Sequence, residues 1–463
     1  MKVFKFGGTS VSSVASLLNV KNIVSSTKLN GDPLIIIVPA LKGIADDLNP
    51  LIDLIPVKDK FISEFFSRFK KHHQEFIAKL FNEIEQIELK SILGPLEKEL
   101  HRELMRLSKQ NVISSSDRDN ILAFGKIFSA KIMSFFLKKN GHFIEFLDPR
   151  RLIITDNNYG NANLIRSETV KRMRNFFRGN SKSYVVPGNL GSTTEGKTTT
   201  LGRMGSDYTS TIFGTILKAK SVTKWTDADG VLTADPNLIN SADSVHEITL
   251  NELQSISFLG PKVIVHPDAI TELSDNNVPL IIKNTFNLKF QGTMVSNKSI
   301  QHKSIFSLNN SCVIVDISRD HLLPKDFFKR IRDNGHLFFR IKELQGVDLE
   351  KLYFVVSNKC LKFIKKEIED TQKEFRTIDQ PQKFEVTYSS VSLISITKQE
   401  MDKEVEISKA ISLLEEKGIT PIGHRLFNTT FCLLLSSSDS ANAIGYLYDG
   451  LVHSERIPVL QNI

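Results

Sequence analysis

A chain of 463 residues exceeds what one hydrophobic core usually supports, so a large domain with one or two smaller ones is expected. Hydrophobic residues at 41% and charged residues at 24% are globular values that exclude extensive disorder. The formal net charge of +8 invites a polyanion, but the lysines are scattered through amphipathic segments such as Lys70-Lys71 and Lys365-Lys366, without an aromatic-interleaved basic stripe, and this sets nucleic acid aside as a partner.

The N-terminal segment MKVFKFGGTS reads as a strand through Val3, Phe4 and Phe6, interrupted by Lys5. Gly7-Gly8-Thr9-Ser10 then turns the chain toward a helix beginning near Ser12 or Ser13. LIIIVP at 34 to 39 is a buried strand, which completes a βαβ unit of an α/β domain. Met1 to Lys5 precedes no apolar h-region, and the strongest apolar run, Pro33 to Leu41, is too short for a bilayer. A cytoplasmic protein without a membrane partner is expected.

From about Leu51 to Lys109 the periodicity is helical, with Ile62, Phe65, Phe66 and Phe69 on one face and Ile77, Leu80, Phe81, Ile84 and Ile87 continuing it. A further helix, capped by Asp117, runs through Ile121, Leu122, Phe124, Ile127 and Met133. Strands recur at 142 to 147, 183 to 188, 221 to 226 and 278 to 284, so the chain as far as about Ser299 is predicted to form one doubly covered sheet. After Lys303 the rhythm shortens. SCVIVDIS, LPKDFFKRIRDNG, HLFFRI, LYFVVS and a helix from Leu361 to about Glu374 make one βαββαβ pass. VSLISITK, EVEISKAISLLEEKG, ITPIGHRL, FCLLLSSS and a helix from about Ala441 to Leu451 make another, with Thr377 to Lys383 as the crossover. Cys312, Cys360 and Cys432 form neither a zinc pattern nor an even disulfide set and are expected as reduced, mostly buried thiols.

Four stretches are candidates for chemistry. In KFGGTS, the N–H groups of Gly7 and Gly8, a helix dipole behind them and the charge of Lys5 suit a phosphate, although a strand-to-glycine turn alone has the same pattern. In TTTLGRMGSDYTS, 198 to 210, Arg203 can hold a carboxylate bidentately, and Ser206 and Asp207 stand at a helix N-terminus that either would cap unaided. KWTDADGVLTADP, 224 to 236, places Asp227, Asp229 and Asp235 after a strand. It lacks the final glutamate of a calcium loop and fits a nucleotide-binding turn better. FLGPKVIVHP, 258 to 267, sets Lys262 where it reaches a phosphate or faces solvent.

In this order and spacing, and followed by IKNTFN at 282 to 287 and GT at 292 to 293, the four stretches resemble the aspartate kinase family of amino-acid kinases. The paired βαββαβ units resemble that family's two regulatory ACT modules. The resemblance implies an α/β amino-acid kinase fold, a central mostly parallel sheet covered by helices, as a catalytic domain over 1–303 with a helical insertion at about 51–110, and a tandem ACT-like regulatory region over 304–463. It implies transfer of the ATP γ-phosphoryl group to the β-carboxylate of L-aspartate, giving L-aspartyl 4-phosphate on the way to lysine, threonine and methionine. By the same resemblance Lys5 and Asp207 are catalytic, and Gly7, Gly8, Ser10, Thr226, Asp227 and Lys262 bind ATP. Thr9, Arg203, Ser206 and the positions held by Ala45 and Lys126 line the acceptor. Mg²⁺ would bridge ATP phosphates rather than sit in a protein cage, and the ACT-like modules would build a homo-oligomer.

The chain departs from the family pattern at definite places. Lys126, in LAFGKIFSA, stands where the family usually has a glutamate that meets the substrate ammonium. Pro39 and Ala45 replace a serine and a threonine, Asn237 an arginine, Leu232 an aromatic residue and Met204 a small one. In the ACT-like region, Pro324-Lys325-Asp326 and GHRLFNTTF replace the usual helix start and glycine- and serine-rich turn. Two readings therefore stand beside aspartate kinase: a kinase with a changed carboxylate substrate, and a non-catalytic protein that binds nucleotide or amino acid and regulates a partner.

Overall fold

The computed structural model describes residues 1–28, 31–41, 52, 59–202, 204–298, 302–318, 326–328, 338–340, 343–344, 351–376, 385–398, 402–427 and 429–452. Two compact units are present: Met1–Val231 with Val265–Asn297, and Leu232–Ile264 with Lys298–Ile463.

In the first unit, seven strands are β1 (Lys2–Phe6), β2 (Leu34–Val38), β3 (Ile144–Phe146), β4 (Ser183–Pro187), β5 (Val222–Thr226), β6 (Leu280–Asn284) and β7 (Thr293–Ser296). They join in the order β7-β6-β5-β1-β2-β4-β3. All pairings among them are parallel except that of β6 with β7. Alternation sorts the side chains. Phe4, Phe6 and Trp225 share one face, where Trp225 stacks on Phe6 at 6.0 Å, and Lys5 and Lys224 share the other. Helix α1 (Val14–Lys28) follows the glycine turn as its sequence pattern predicts.

The helical insertion contains α2 (Asp59–Leu80) and α3 (Glu83–Leu107). Ile62, Phe65, Phe69 and Phe81 are buried as the periodicity predicts, but Ile84 and Ile87 are 78% and 71% exposed. The reason is local: Asn82 caps α3 and exchanges a capping box with Glu85, so a new helix starts there and the apolar phase is reset. Helix α4 (Ser115–Lys139) is capped by Ser114, whose side chain accepts from Asp117 N, and not by Asp117. Asp117 sits in the first turn, where it favours the dipole and pairs with Arg106 at 2.5 Å. Among the described residues α4 is the one helix long and apolar enough to cross a membrane, and most of that stretch is buried inside the protein.

His73, on α2, is 2% exposed and packs against the rings of Phe69 and Phe128. Its Nδ1 donates to the Phe69 carbonyl at 2.9 Å, which leaves Nε2 buried with no hydrogen-bond partner. Burial pushes the imidazole down to about 4, against the pull of that carbonyl and with a small further push from His72. The unfolded chain, with histidine near 6.5, therefore binds a proton that the folded chain refuses between pH 6.5 and about 4, and stability falls as pH drops through that window. His73→Leu is expected to remove up to about 3 kcal/mol of this acid sensitivity, measured as the difference in urea stability between pH 7 and pH 4. An unchanged acid limb in the variant would assign the sensitivity elsewhere.

The second unit carries β8 (Ile305–Ser318), β9 (Phe338–Arg340), β10 (Glu343–Leu344), β11 (Lys351–Ser357), β12 (Val386–Thr397), β13 (Gly423–Leu426) and β14 (Thr430–Leu435). One sheet joins them in the order β9-β11-β8-β12-β14-β13-β10, and every pairing is antiparallel. Helices cover this sheet: Leu361–Arg376 packs over β8 and β11, while Lys403–Glu415 and Ser440–Val452 cover β12 and β14. This is the tandem ACT-like arrangement. Most of LPKDFFKRIRDNG and the crossover Thr377 to Lys383 lie outside the described residues. Leu232–Ile264 packs with this unit through Ala234 and Ile239, and Thr233 bonds to Tyr448 at 2.8 Å.

Strands β9 and β10 stand at opposite ends of the sheet order, yet only residues 341 and 342 separate them in sequence. Six strand spacings in a flat sheet would span about 29 Å, whereas the backbone from Arg340 to Glu343 reaches about 11 Å at most. The sheet is therefore rolled, and Phe339 meets Phe427 edge to face at 5.5 Å across the closure. Cys312, Ile314, Val355, Leu393, Cys432 and Leu434 share the core this creates. The three cysteines are free and buried. Burial pushes the Cys312 and Cys360 thiols up to about 12 and about 11, and that of Cys432 well above its ordinary value, which keeps all three protonated and unreactive at neutral pH.

Candidate active site

Parallel pairing of β1 with β5 sets Lys5 beside Lys224 in register. A helix, Gly205–Ile216, packs on that face and presents Asp207 from its first turn. Lys5 Nζ lies 2.6 Å from Asp207 Oδ1 as an ion pair, and Lys224 Nζ donates to Oδ2 at 2.8 Å. Apart from this Lys5 ammonium, Oδ1 has no partner among the described residues. Asp207 is 3% exposed. Burial opposes its ionisation, but Lys5 and Lys224 outweigh it and hold the carboxyl below its usual range. Burial pushes the Lys224 ammonium down, against the pull of Asp207. Two cations and one anion leave the cluster with a net positive charge directed at the strand ends.

The glycine turn follows directly. Gly7 N donates to the Trp225 carbonyl at 2.9 Å, and a Cβ on Gly7 would crowd that oxygen at 3.3 Å. Gly8 has ordinary right-handed backbone angles, and a Cβ there would meet nothing within 4 Å, so the space beside it is open. Thr9 is exposed. Ser10 is fully buried, and its hydroxyl bonds to that of Thr285 at 2.7 Å, which ties the turn to the segment after β6.

The end of β4 makes a close backbone approach to the Gly205–Ile216 helix. A Cβ on Gly188 would lie 2.5 Å from Ser206 Oγ, and one on Gly205 would lie 2.1 Å from Asn189 Oδ1. The residue before the helix, Met204, is left-handed at φ 59°, and no side chain caps the helix start. Ser206 and Asp207 are thus not acting as caps. Asn189, also left-handed, donates its N–H to Thr209 Oγ1 at 2.8 Å and accepts from Leu201 N at 2.7 Å through Oδ1. Lys126 Nζ donates to the Asn189 carbonyl at 3.2 Å, which brings the charge-reversed position into this neighbourhood. Lys126 keeps partial exposure, but desolvation of its ammonium pushes it down to about 8, against the attraction of Asp119. Asp119 itself is buried and accepts from Gly160 N, Thr200 N and Thr200 Oγ1 at 2.9, 2.8 and 2.7 Å.

At the end of β5, Thr226 Oγ1 donates to Asp227 Oδ1 at 3.2 Å and Asp227 faces solvent. Asp229 accepts from Asn284 Nδ2 at 2.8 Å and from Asn287 Nδ2 at 3.0 Å, so this carboxylate clamps the IKNTFN segment to the turn. Asn237 bonds through its backbone N and Nδ2 to Asp235 Oδ1, both at 2.9 Å, and so shapes its own turn in the second unit. Among the described residues no group of three His, Cys, Asp or Glu is arranged to hold a metal.

The structure therefore gathers Lys5, Gly7, Gly8, Ser10, Thr226 and Asp227 with Ser206 and Asp207 around the carboxyl ends of β1 and β5, with Lys126 joined through Asn189. Lys262 is exposed and belongs to the second unit. Arg203 and Ala45 lie outside the described residues. Sequence reasoning missed Lys224 and Asn189. The signal for Lys224 was its matching position: like Lys5, it interrupts an apolar strand immediately before an aromatic residue and a turn.

A parallel α/β sheet whose adjacent strand ends present two lysines around one buried carboxylate, beside an open glycine turn, defines an anion-handling site of the doubly covered class. Residues 1–284 match the model of the amino acid kinase family, and the chain belongs to that family. The similarity to aspartokinases read from the motifs extends to curated relatives. The chain is 30% identical over 310 residues to the chloroplastic bifunctional aspartokinase/homoserine dehydrogenase 2 of Arabidopsis thaliana, a match covering 63% of this chain and 32% of that protein. It is 28% identical over 315 residues to an aspartokinase of Chlamydia muridarum, covering 66% and 67% of the two chains. The match thus spans about a third of the bifunctional relative's length. In fold, the chain is similar to E. coli aspartokinase III in complex with aspartate and ADP, with TM-score 0.76, 19% identity and coverage of 97% and 99%. Clostridium acetobutylicum aspartate kinase gives 0.71, 19%, 98% and 100%. The amino-acid kinase fold followed by ACT-like modules is the architecture expected from the sequence, in a divergent member.

Proposed function

We propose that the chain is an ATP-dependent kinase of the aspartokinase type, transferring the γ-phosphoryl group to the β-carboxylate of L-aspartate to give L-aspartyl 4-phosphate and ADP, the first step toward lysine, threonine and methionine. The observation that carries this reading is the Lys5-Asp207-Lys224 cluster at the ends of β1 and β5. An acceptor carboxylate is already ionised at neutral pH, so no general base is needed. Phosphoryl transfer asks the protein chiefly for positioning and charge neutralisation. Lys5 and Lys224 supply the charge, and Asp207, kept ionised between them, holds both ammonium groups in place. The Gly8 backbone receives phosphate oxygens in the open space at the turn, Gly7, whose N–H is spent on the Trp225 carbonyl, and Ser10 fix that turn, and Thr226 and Asp227 complete the nucleotide contacts of the first unit. Thr9, Arg203 and Ser206 line the acceptor. The residues fit an Mg²⁺ ion carried by the nucleotide: Asp207 already faces two ammonium groups, so the phosphates provide the ligands. The ion when bound neutralises phosphate charge.

The proposal includes catalytic residues 1–303, an ACT-like regulatory region over 304–463, homo-oligomerisation through that region and a cytoplasmic location. It is tested by trapping acyl phosphate with hydroxylamine, using purified protein, Mg-ATP and L-aspartate beside a panel of small carboxylates. Hydroxamate from aspartate supports it. No product from any acid, with ATP still bound, assigns the chain to a non-catalytic regulatory role.

One observation favours a second reading, an acceptor other than aspartate: the Lys126 ammonium stands beside Asn189, where it repels an α-ammonium and attracts a carboxylate. Because this ammonium loses its proton near pH 8, raising the pH through 8 is expected to lower KM for aspartate and raise it for succinate. Lys126→Met should flatten both trends in initial-rate measurements from pH 6.5 to 9.5. Parallel trends for the two acids would place Lys126 away from the acceptor.

A further inference from the structure

Strand β3 is the free end of the first unit's sheet order, and beside it lies a groove of about 480 Å³, a size suited to a small organic ligand. Its walls come from α3, α4 and the β3 segment, with Ile92, Phe135, Phe143 and Phe146 supplying apolar surface. Phe143 is 89% exposed and Ile92 38%, so large hydrophobic side chains are held in contact with water at its rim.

The charges in this groove are unequally matched. Glu88 is paired with Lys139 at 2.5 Å, and Glu145 with Lys182 at 2.8 Å. Lys131 and Lys138, which also line the groove, have no carboxylate partner within ion-pair distance among the described residues. The Lys131 ammonium rests 4.5 Å from the Phe146 ring centroid, and burial pushes it down against the distant attraction of Asp148. Asp148 is itself held by Arg150 at 2.6 Å. An apolar trough with two unmatched ammonium groups is complementary to a molecule with an apolar body and one negative end.

We propose that this groove binds an amphipathic monocarboxylate, its carboxylate at Lys131 and Lys138 and its apolar body along Phe135, Phe143 and Ile92. The site shares no residue with the Lys5-Asp207-Lys224 cluster, so it stands whether or not the chain phosphorylates aspartate.

Isothermal titration of the full-length protein with octanoate, and with 1-octanol as the uncharged probe, tests it. Octanoate should bind saturably at one site. Lys131→Met, which keeps the stem and removes the charge, should weaken octanoate roughly tenfold or more and leave octanol nearly unchanged. Phe143→Ser, at an exposed position that leaves the fold intact, should weaken both probes. Absence of saturable octanoate binding, or equal octanoate affinity in wild type and Lys131→Met, overturns the proposal. So does a protein whose oligomer dissociates on Phe143→Ser with octanoate binding unaltered, which would give this face to a second copy of the chain.

Discussion

Lys5→Met is expected to lower kcat for acyl-phosphate formation by about 10²- to 10³-fold, the range for deleting one preorganised group that meets developing charge. The protein should remain folded, because Lys224 still pairs with Asp207 and the methionine side chain fills the path of the lysine stem. Removing the anion is a different experiment. Asp207→Leu leaves two largely buried ammonium groups facing each other and should cost about 3–5 kcal/mol of stability. Steady-state rates with saturating Mg-ATP, read beside urea midpoints, separate the two effects. Wild-type kcat in Lys5→Met would sink the assignment of the cluster to phosphate.

The second large effect concerns the acceptor. At about 4 Å and an effective dielectric of about 20, changing the sign at position 126 alters the interaction with a substrate ammonium by roughly 4 kcal/mol for each sign before screening. Lys126 keeps partial exposure, and water reduces that figure. Lys126→Glu is therefore expected to raise kcat/KM for aspartate by about 10- to 100-fold and to lower it for succinate by a similar factor. Asp119 attracts the lysine and will repel the glutamate, so part of the gain is lost to strain at this helix. Lys126→Met, neutral at every pH, measures that part separately. An unchanged preference between the two acids in Lys126→Glu would remove position 126 from substrate recognition.

The strands of the first unit were legible because buried parallel strands are short apolar runs between turn residues: β2, β4, β5 and β6 begin and end within two residues of their sequence estimates. Lys5 and Asp207 stood out because charge beside glycine at an element end is unusual. Lys224 did not, because a lone lysine in a strand reads as a solvent-facing residue until the register with Lys5 is known. Asn189 was hidden for a related reason: its role depends on a left-handed backbone and on a helix start brought to it by the fold. In the insertion, continuous periodicity concealed the break at Asn82, which moved Ile84 and Ile87 to solvent. The serines before Asp117 offered several capping phases, and only the hydrogen bond from Asp117 N to Ser114 distinguishes them. Strand order in the second unit is carried by no local pattern at all.

That strand order has a thermodynamic consequence. Because β9 continues after two residues into β10 at the far end of the same sheet order, the covalent chain ties together the two outer strands of the second unit. Opening either ACT-like half breaks the seam between β8 and β12 and also pulls Phe339 away from Phe427. Neither half has a boundary along which it can melt alone, so the two repeats behave as one cooperative body, with core amides of β8 and β12 exchanging at a common free energy of opening.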